Sequence, residues 1–305
     1  MWVARAMTAR GQERHGTGQG MSERVEILGL MRFNVVLSSA AKWGWKATQG
    51  RSVEEIAALI LDPKRIETRL RLARALPIAS LAQQTDRDFT LYMMVSSLLP
   101  ATLKAQLAEL EAEFPFIRVV ELDPSASLRG TISSLIPAGR PCITFRLDDD
   151  DAVGPHHVAD LRSMAVTDNE ESVLSFPEGV YMAREGGKLT FQQVHYPTNA
   201  YGIAFYSRVG ASIFDQRNHA KLSEGKMRTN PRPNAWIRSL HADSDSDTRL
   251  RSGVRTWSVV PARIVPGLPE YDGLDFVTVA NDLAPFTRTG NVGQAFMRVV
   301  RRVLR

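Results

Sequence analysis

The chain of 305 residues has a single cysteine, Cys142. That excludes an intramolecular disulfide and any cysteine-rich zinc or iron–sulfur site. Long apolar runs are also missing: nothing reaches the ~18 consecutive apolar residues of a membrane-spanning helix. The most apolar run, Phe89 to Leu99, contains Thr90, Ser96 and Ser97 and stops at Pro100, which predicts a buried strand. The first thirty residues lack the continuous apolar core of a secretion signal. The expectation is cytoplasmic residence. No Gly-x-Gly-x-x-Gly and no Walker-type loop is present, which removes the simplest readings as a dinucleotide oxidoreductase or P-loop kinase. Ser80, Ser175 and Ser239 do not sit in a nucleophile-elbow context, which argues against a serine hydrolase.

A basic face is lacking too, although the net charge is +5. Residues 1–20 sum to +2 and residues 286–305 to +5, which leaves the body, 21–285, at −2. The body is near neutral, which argues against an extended nucleic-acid-binding surface. Residues 1–22 are Gly-, Arg- and polar-rich without hydrophobic period and are expected to form a disordered tail, with Met21 a second candidate start. The composition is otherwise ordinary, 44% hydrophobic and 23% charged, as in a globular protein.

Periodicity predicts alternating strands and helices. Val25 to Leu37 reads as a first buried strand. Ser52, with Glu55 completing a capping box, opens a short helix to Leu61. Asp62-Pro63 caps a second, arginine-rich helix that reaches about Leu81. Phe89–Val95 is a strand, Ala101–Phe114 a helix, Phe116–Leu122 a strand, Ser127–Leu135 a helix and Pro141–Leu147 a strand. Gly154-Pro155 restarts a helix to about Met164. This alternation predicts an α/β fold, a mixed, mainly parallel sheet flanked by helices, with ligands at the carboxyl ends of its strands. Beyond residue 170 shorter strands follow at Val173–Phe176, Val180–Ala183, Leu189–His195 and Ile203–Tyr206, and they are expected to share that sheet.

The most informative segment is Arg146-Leu147-Asp148-Asp149-Asp150-Asp151. Four adjacent carboxylates repel one another unless water or a cation neutralises them. Strand–turn geometry lets Asp148 and Asp150 point the same way at period two. Two carboxylate arms on one side suit a hard divalent ion that also takes phosphate oxygens. The alternative is a solvated acidic loop; the position directly after a buried strand favours the ion.

These residues resemble the metal-binding aspartate motif of GT-A glycosyltransferases. The chain is similar in particular to a bacterial rhamnosyltransferase family. Arg32-Phe33-Asn34 approximates that family's early Arg-Phe-Ser segment. The arginine-rich helix is followed by Ala79-Ser80-Leu81-Ala82-Gln83-Gln84-Thr85-Asp86-Arg87-Asp88-Phe89, like the family's Pro-Ser-Leu-x-x-Gln-Thr-x-x-Asp-Phe. Ser175-Phe176-Pro177-Glu178-Gly179 resembles its Phe-Pro-x-Gly turn, and Ala235-Trp236-Ile237-Arg238-Ser239-Leu240-His241 its Ala-Trp-x-x-x-x-His segment. The resemblance spans about 25–250 and implies a GT-A-like domain over 23–285.

By that resemblance, the activity is transfer of a sugar, L-rhamnose among the candidates, from a nucleotide-diphospho-sugar to a glycan or lipid-linked acceptor. Asp148, Asp150 and His241 would hold Mn²⁺ or Mg²⁺. Arg32, Phe33, Arg146 and Asp148 would lie around the nucleotide, with Arg32 on phosphate and Phe33 stacked on the base. Asp151 would lie close by. Apart from the resemblance, inverting transfer needs a carboxylate to take the acceptor proton, and Asp151 or one of Asp243, Asp245 and Asp247 is the candidate base. Two segments depart from the relatives: Ser96-Ser97 stands where a base-holding aspartate is usual, and Ala242 to Asp247 where Gly-Gly-Asn is usual.

Other features have plainer readings. Asp243-Ser244-Asp245-Ser246-Asp247 opens like a calcium loop but has Thr248 at the sixth position and Val254 at the twelfth, so a solvated loop is expected. His156 and His157 read as helix-surface residues, since i,i+1 side chains do not converge on one ion. Trp236 is a core aromatic or a sugar platform. Trp43 and Trp45 read as packing for the loop around Gly44. The segment 286–305 reads as a basic C-terminal helix, either docked on the domain or in contact with anionic lipid. Rival classes are a metal-dependent nucleotidyl- or phosphotransferase and a non-catalytic sugar- or nucleotide-binding module.

Overall fold

The computed structural model describes residues 25–38, 48–166, 171–185, 187–216, 227–241, 256–259, 265 and 267–284. The expected tail 1–22, the basic segment 286–305, Trp43, Trp45 and Asp243 lie outside the described residues.

Four parallel strands set the architecture: β1 (Glu26–Arg32), β2 (Thr90–Ser96), β3 (Ile117–Leu122) and β4 (Cys142–Arg146). Their order is β3-β2-β1-β4. The sheet continues through β9 (Ala204–Ser207), which runs antiparallel to both β4 and β6 (Ser172–Ser175), and ends on β10 (Met227–Thr229). Only β9 runs against the other six described strands, so the sheet is mixed and mainly parallel, as the alternation predicts.

Helices cover both faces, as a parallel sheet requires. Along β1, Ile27 and Met31 enter a core with Leu103 and Leu107 of α4 (Ala101–Glu113) and Val158 and Leu161 of α6 (His157–Val166). Leu28 and Leu30 point the other way, toward Ile132 of α5 (Leu128–Leu135). Gly29 between them leaves room for Phe145: a Cβ there would come within 2.6 Å of that ring.

Helix α1 (Val53–Ile60) carries the predicted capping box, Glu55 N–H to Ser52 and Ser52 N–H to Glu55. Helix α2 (Pro63–Ala73) starts on Asp62, which accepts from the Arg65 N–H at 2.9 Å. The sequence reading extends α2 to about Leu81. Instead, a π-helical turn over Arg74–Ile78 follows, then a short α3 (Ala79–Ala82). Pro77 is the cause: it has no N–H to donate and its ring crowds the preceding turn. The first strand also stops earlier than Leu37, because Asn34 takes a left-handed φ of 50° two residues after β1.

The later strands do not all share the first sheet. A second sheet holds β12 (Thr256–Val259), β8 (Lys188–His195), β7 (Glu178–Glu185), β11 (Trp236–Leu240) and β5 (Asp151–Val153), in that order. The hydrophobic pattern gives strand identity but not partner choice. The sequence reading assigns no strand between Leu147 and Gly154, where the three-residue β5 lies. The sheet rests on a second core in which Val180, Met182, Phe191 and Ile237 meet Phe276 and Val279 of α7 (Phe276–Asp282). Among the described residues, no helix is long and apolar enough to cross a membrane.

Candidate active site

The site forms where β4 leaves one sheet and β5 enters the other. The chain turns over Asp148–Asp151, closed by Asp151 N–H to the Asp148 carbonyl at 3.3 Å. β5 then pairs antiparallel with β11, setting Arg238 opposite Asp151 and Trp236 opposite Val153. That register carries His241, just past β11, to Asp150: His241 Nε2 and Asp150 Oδ2 are 2.6 Å apart.

Two of the sequence segments act as fasteners for this turn. Buried Gln84 donates to the carbonyls of Ser80 at 3.0 Å and Gly154 at 2.9 Å, and accepts from Val158 N–H at 2.9 Å. Ser80 Oγ accepts from Val153 N–H at 3.3 Å, and Thr85 N–H reaches the Pro155 carbonyl at 2.8 Å. A second pair of segments meets beneath β11. Trp236, fully buried, donates its indole N–H to the Phe176 carbonyl at 2.7 Å and lies over Gly179. A Cβ on Gly179 would overlap that indole. Trp236 is therefore a core aromatic and not a sugar platform.

The acidic cluster is half-buried at Asp148 and enclosed at Asp149 and Asp151, and arginines pair with Asp148, Asp149 and Asp150. Asp149 and Asp151 are 4% and 3% exposed, which rules out a solvated loop. Arg146 Nη2 reaches both carboxylate oxygens of Asp148, at 3.1 and 2.8 Å, and Arg32 stands 3.8 Å from the same group. Arg69, from α2, binds Asp149 through Nε at 2.8 Å and also through Nη2, and Asp150 through Nη1 at 2.9 Å. A planar guanidinium fork suits this bridging role. Arg238 stacks on Tyr201, 4.6 Å from the ring centroid.

The environment separates the carboxylates. Burial pushes Asp150 upward, but Arg69 and the bond to His241 reverse this and hold it far below the usual carboxylate range. Burial acts on Asp148 too and is outweighed by Arg146 and Arg32, so it also stays low. Asp151 goes the other way: burial and the neighbouring charges of Asp150 and Asp148 raise it well above the ordinary value, against the opposing effects of Arg238 and the Ser239 N–H.

The sequence-named residues divide accordingly. Asp150 and His241 come together; Arg32, Arg146 and Asp148 form an adjoining group. Asp148 and Asp150 do not share a partner, because the strand ends at Arg146 and the turn breaks the period-two alternation. Phe33 is a correction: it is fully buried, and its N–H continues the ladder to the Met94 carbonyl at 2.8 Å, so it cannot stack on a base. Asp151 accepts from Ser239 N–H at 3.1 Å and is almost wholly enclosed. His157 is another correction. Only His156 is at the surface; His157 is 2% exposed between Phe145 and Phe176. Arg69 and Arg238 were not singled out by the sequence reading. The arginine run on α2 was visible, but nothing in it marked the one that turns inward.

A family model described as "Putative rhamnosyl transferase" matches residues 26–252. The chain belongs to that rhamnosyl transferase family. The matched stretch contains every fastening segment above, from Arg32 to His241. Comparison with the curated proteins gave no match.

Among solved structures, the rhamnosyl transferase family chain is similar to S. aureus TarS 1–349 in complex with UDP-GlcNAc: 12% identity, 50% of this chain, 34% of that one, TM-score 0.31. It is also similar to TarS 1–349 in complex with UDP: 10% identity, 72% of this chain, 62% of that one, TM-score 0.39. A Bacillus anthracis structure described as a "Putative Glucose-1-Phosphate Thymidylyltransferase" in complex with a sucrose gives 12% identity, 69% and 88% coverage, and TM-score 0.35. The chain spans less than two thirds of either TarS structure, and all three likenesses are distant.

Proposed function

We propose that the chain transfers a sugar, L-rhamnose foremost, from a nucleotide-diphospho-sugar to a glycan or lipid-linked acceptor. One observation supports this above the others. Asp150, in the turn that leads from β4 into β5, and His241, just past β11, meet at 2.6 Å beyond the end of β4. The order β3-β2-β1-β4 reverses direction between β1 and β4, and ligands of such sheets bind in the crevice at that point. Arg32, at the end of β1, and Arg146, at the end of β4, border the same crevice.

The donor set fits a divalent ion in part. The Asp150 Oδ2 and the His241 imidazole nitrogen converge, a pair of the kind Mn²⁺ or Mg²⁺ takes, although the same oxygen also accepts from Arg69 at 2.9 Å. Asp148 does not join them while both its oxygens are held by Arg146. Among the described residues, no group of three His, Cys, Asp or Glu side chains is placed to hold a metal. An ion on Asp150 and His241 would keep water and diphosphate oxygens in its shell and would neutralise the leaving group's charge.

The chain's own residues supply the rest. Arg32, with its side chain 41% exposed, is the cation open to the diphosphate. Asp148 fixes the fork of Arg146 behind it, and Arg69 fixes Asp150. The acceptor oxygen bonds to the anomeric carbon as the bond from that carbon to the diphosphate oxygen breaks, and the diphosphate leaves with the electron pair. The hydroxyl proton passes to a carboxylate. With Asp151 enclosed on Ser239, the aspartates of the following segment, Asp243 with Asp245 and Asp247, are the remaining candidates from the sequence. Peripheral contact with anionic lipid through 286–305, at the inner face of the membrane, is part of the same proposal.

The test is turnover of a panel of nucleoside-diphosphate sugars, L-rhamnose donors included, with release of nucleoside diphosphate as readout. Asp150→Asn should lower turnover at least a hundredfold with the fold intact. Unchanged turnover, or release of pyrophosphate in its place, refutes the reading.

A further inference from the structure

Beside the Asp150–His241 pair lies a cavity of about 410 Å³, within the usual range of ligand pockets. One wall is the face of α2 that carries Lys64, Arg65, Thr68 and Arg69; His241 and Asp282 border it elsewhere. Positions i, i+1, i+4 and i+5 of a helix share a face, so these side chains are grouped by the helix itself. The acids at its border are engaged. Asp62 caps α2 through the Arg65 N–H, and Asp282 takes Arg71 at 2.6 and 3.2 Å. Lys64 makes no ion pair with any described residue. Arg65 donates to Asn34 Oδ1 at 2.6 Å, which holds its guanidinium near the end of β1. Arg69 is taken up by Asp149 and Asp150, so the charge this wall offers a ligand comes from Lys64 and Arg65, with the Thr68 hydroxyl beside them, and Leu59 and Leu72 add an apolar patch.

We infer that this cavity is the acceptor subsite and that its cations recognise a phosphate-class charge on the acceptor. The inference rests on the proposed function for which substrate occupies it, and on the cavity for the charge. An acceptor hydroxyl must reach the anomeric carbon beside the departing diphosphate. The acceptor therefore has to come close to His241, which lines this cavity, and to Arg69, which lines it and holds Asp150. The apolar patch takes the uncharged part of the same molecule.

The experiment uses the full chain, saturated with a nucleoside diphosphate and Mn²⁺, and titrates pyrophosphate as the probe. The variants are Lys64→Glu and Lys64→Met. Lys64 is exposed in the first turn of α2, where an acid is favourable to the helix, so both variants should fold. The expected result is pyrophosphate affinity reduced at least tenfold in Lys64→Glu and about threefold in Lys64→Met, with nucleoside-diphosphate affinity unchanged. Loss of nucleoside-diphosphate affinity instead would make the cavity part of the donor site and overturn the inference. Equal pyrophosphate binding in all three proteins would overturn it as well. If the wild type binds no nucleoside diphosphate, the proposed function fails, and the same titration without it still decides whether the cavity binds the anion.

Discussion

His157 makes stability depend on pH in a way that can be worked from its surroundings. The ring sits between Phe145 and Phe176, at centroid distances of 5.2 and 4.8 Å. Neither ring nitrogen has a hydrogen-bond partner. Gly202 lies against it with φ +68°, where a Cβ would come within 2.7 Å of the ring. Burial holds its pKa down at about 3, against an ordinary 6.5, although Asp160 acts in the opposite sense. Arg232 pairs with Asp160 at 2.8 Å and blunts that opposition. The unfolded chain therefore binds a proton that the folded one refuses between these values. Stability is fully present above pH 6.5 and is lost as pH falls toward 3. At 1.36 kcal/mol per unit the loss from this residue at pH 5 is about 2 kcal/mol. Urea unfolding followed by tryptophan fluorescence at pH 7 and pH 5, in the wild type and in His157→Leu, measures it. The carboxylates titrate alike in both proteins, so the leucine variant should lose less stability by that amount. Parallel losses in the two proteins would refute the burial argument.

Other consequences are equally specific. Arg69→Met leaves the Asp149 and Asp150 carboxylates without their shared cation and should cost about 3–5 kcal/mol by denaturant midpoint; adding Asp149→Asn should recover part of it, since the two act as one unit. Gly179→Ala drives a methyl into the Trp236 indole, and a thermal melt should show a loss of at least about 1–3 kcal/mol. Gln84→Leu strands the buried Val158 N–H, at about 1–3 kcal/mol for a buried group left unpaired, while the Gly154 carbonyl keeps its bond from the His157 N–H at 3.1 Å. If Gln84 is a fastener of the turn and no more, donor affinity should fall in step with that destabilisation.

Much of the frame was legible because local rules acted alone. The Ser52–Glu55 box, the Asp62-Pro63 start and the buried runs of β1 to β4 each carry their own signal. What escaped depends on contacts distant in sequence. The split into two sheets is decided by β5 pairing with β11 across some eighty residues, and no periodicity in a three-residue strand announces that. The π-helical turn at Pro77 was hidden by a hydrophobic spacing that continues through it. At the site, Asp150 and His241 were named together from the family resemblance, and the structure gives the reason in the β11 register. Phe33 was misplaced because strand alternation sends Arg32 outward and its neighbour inward. Arg69 looked like its neighbours on α2, and only the position of Asp149 and Asp150 turns it into the buried bridge.

The most direct measurement is titration of a nucleoside diphosphate into the full chain with and without Mn²⁺, repeated for Asp150→Asn and His241→Ala. The account predicts binding that strengthens with the ion in the wild type, with both variants losing that ion-dependent gain and keeping the fold. Binding that ignores Mn²⁺ and both substitutions would contradict it.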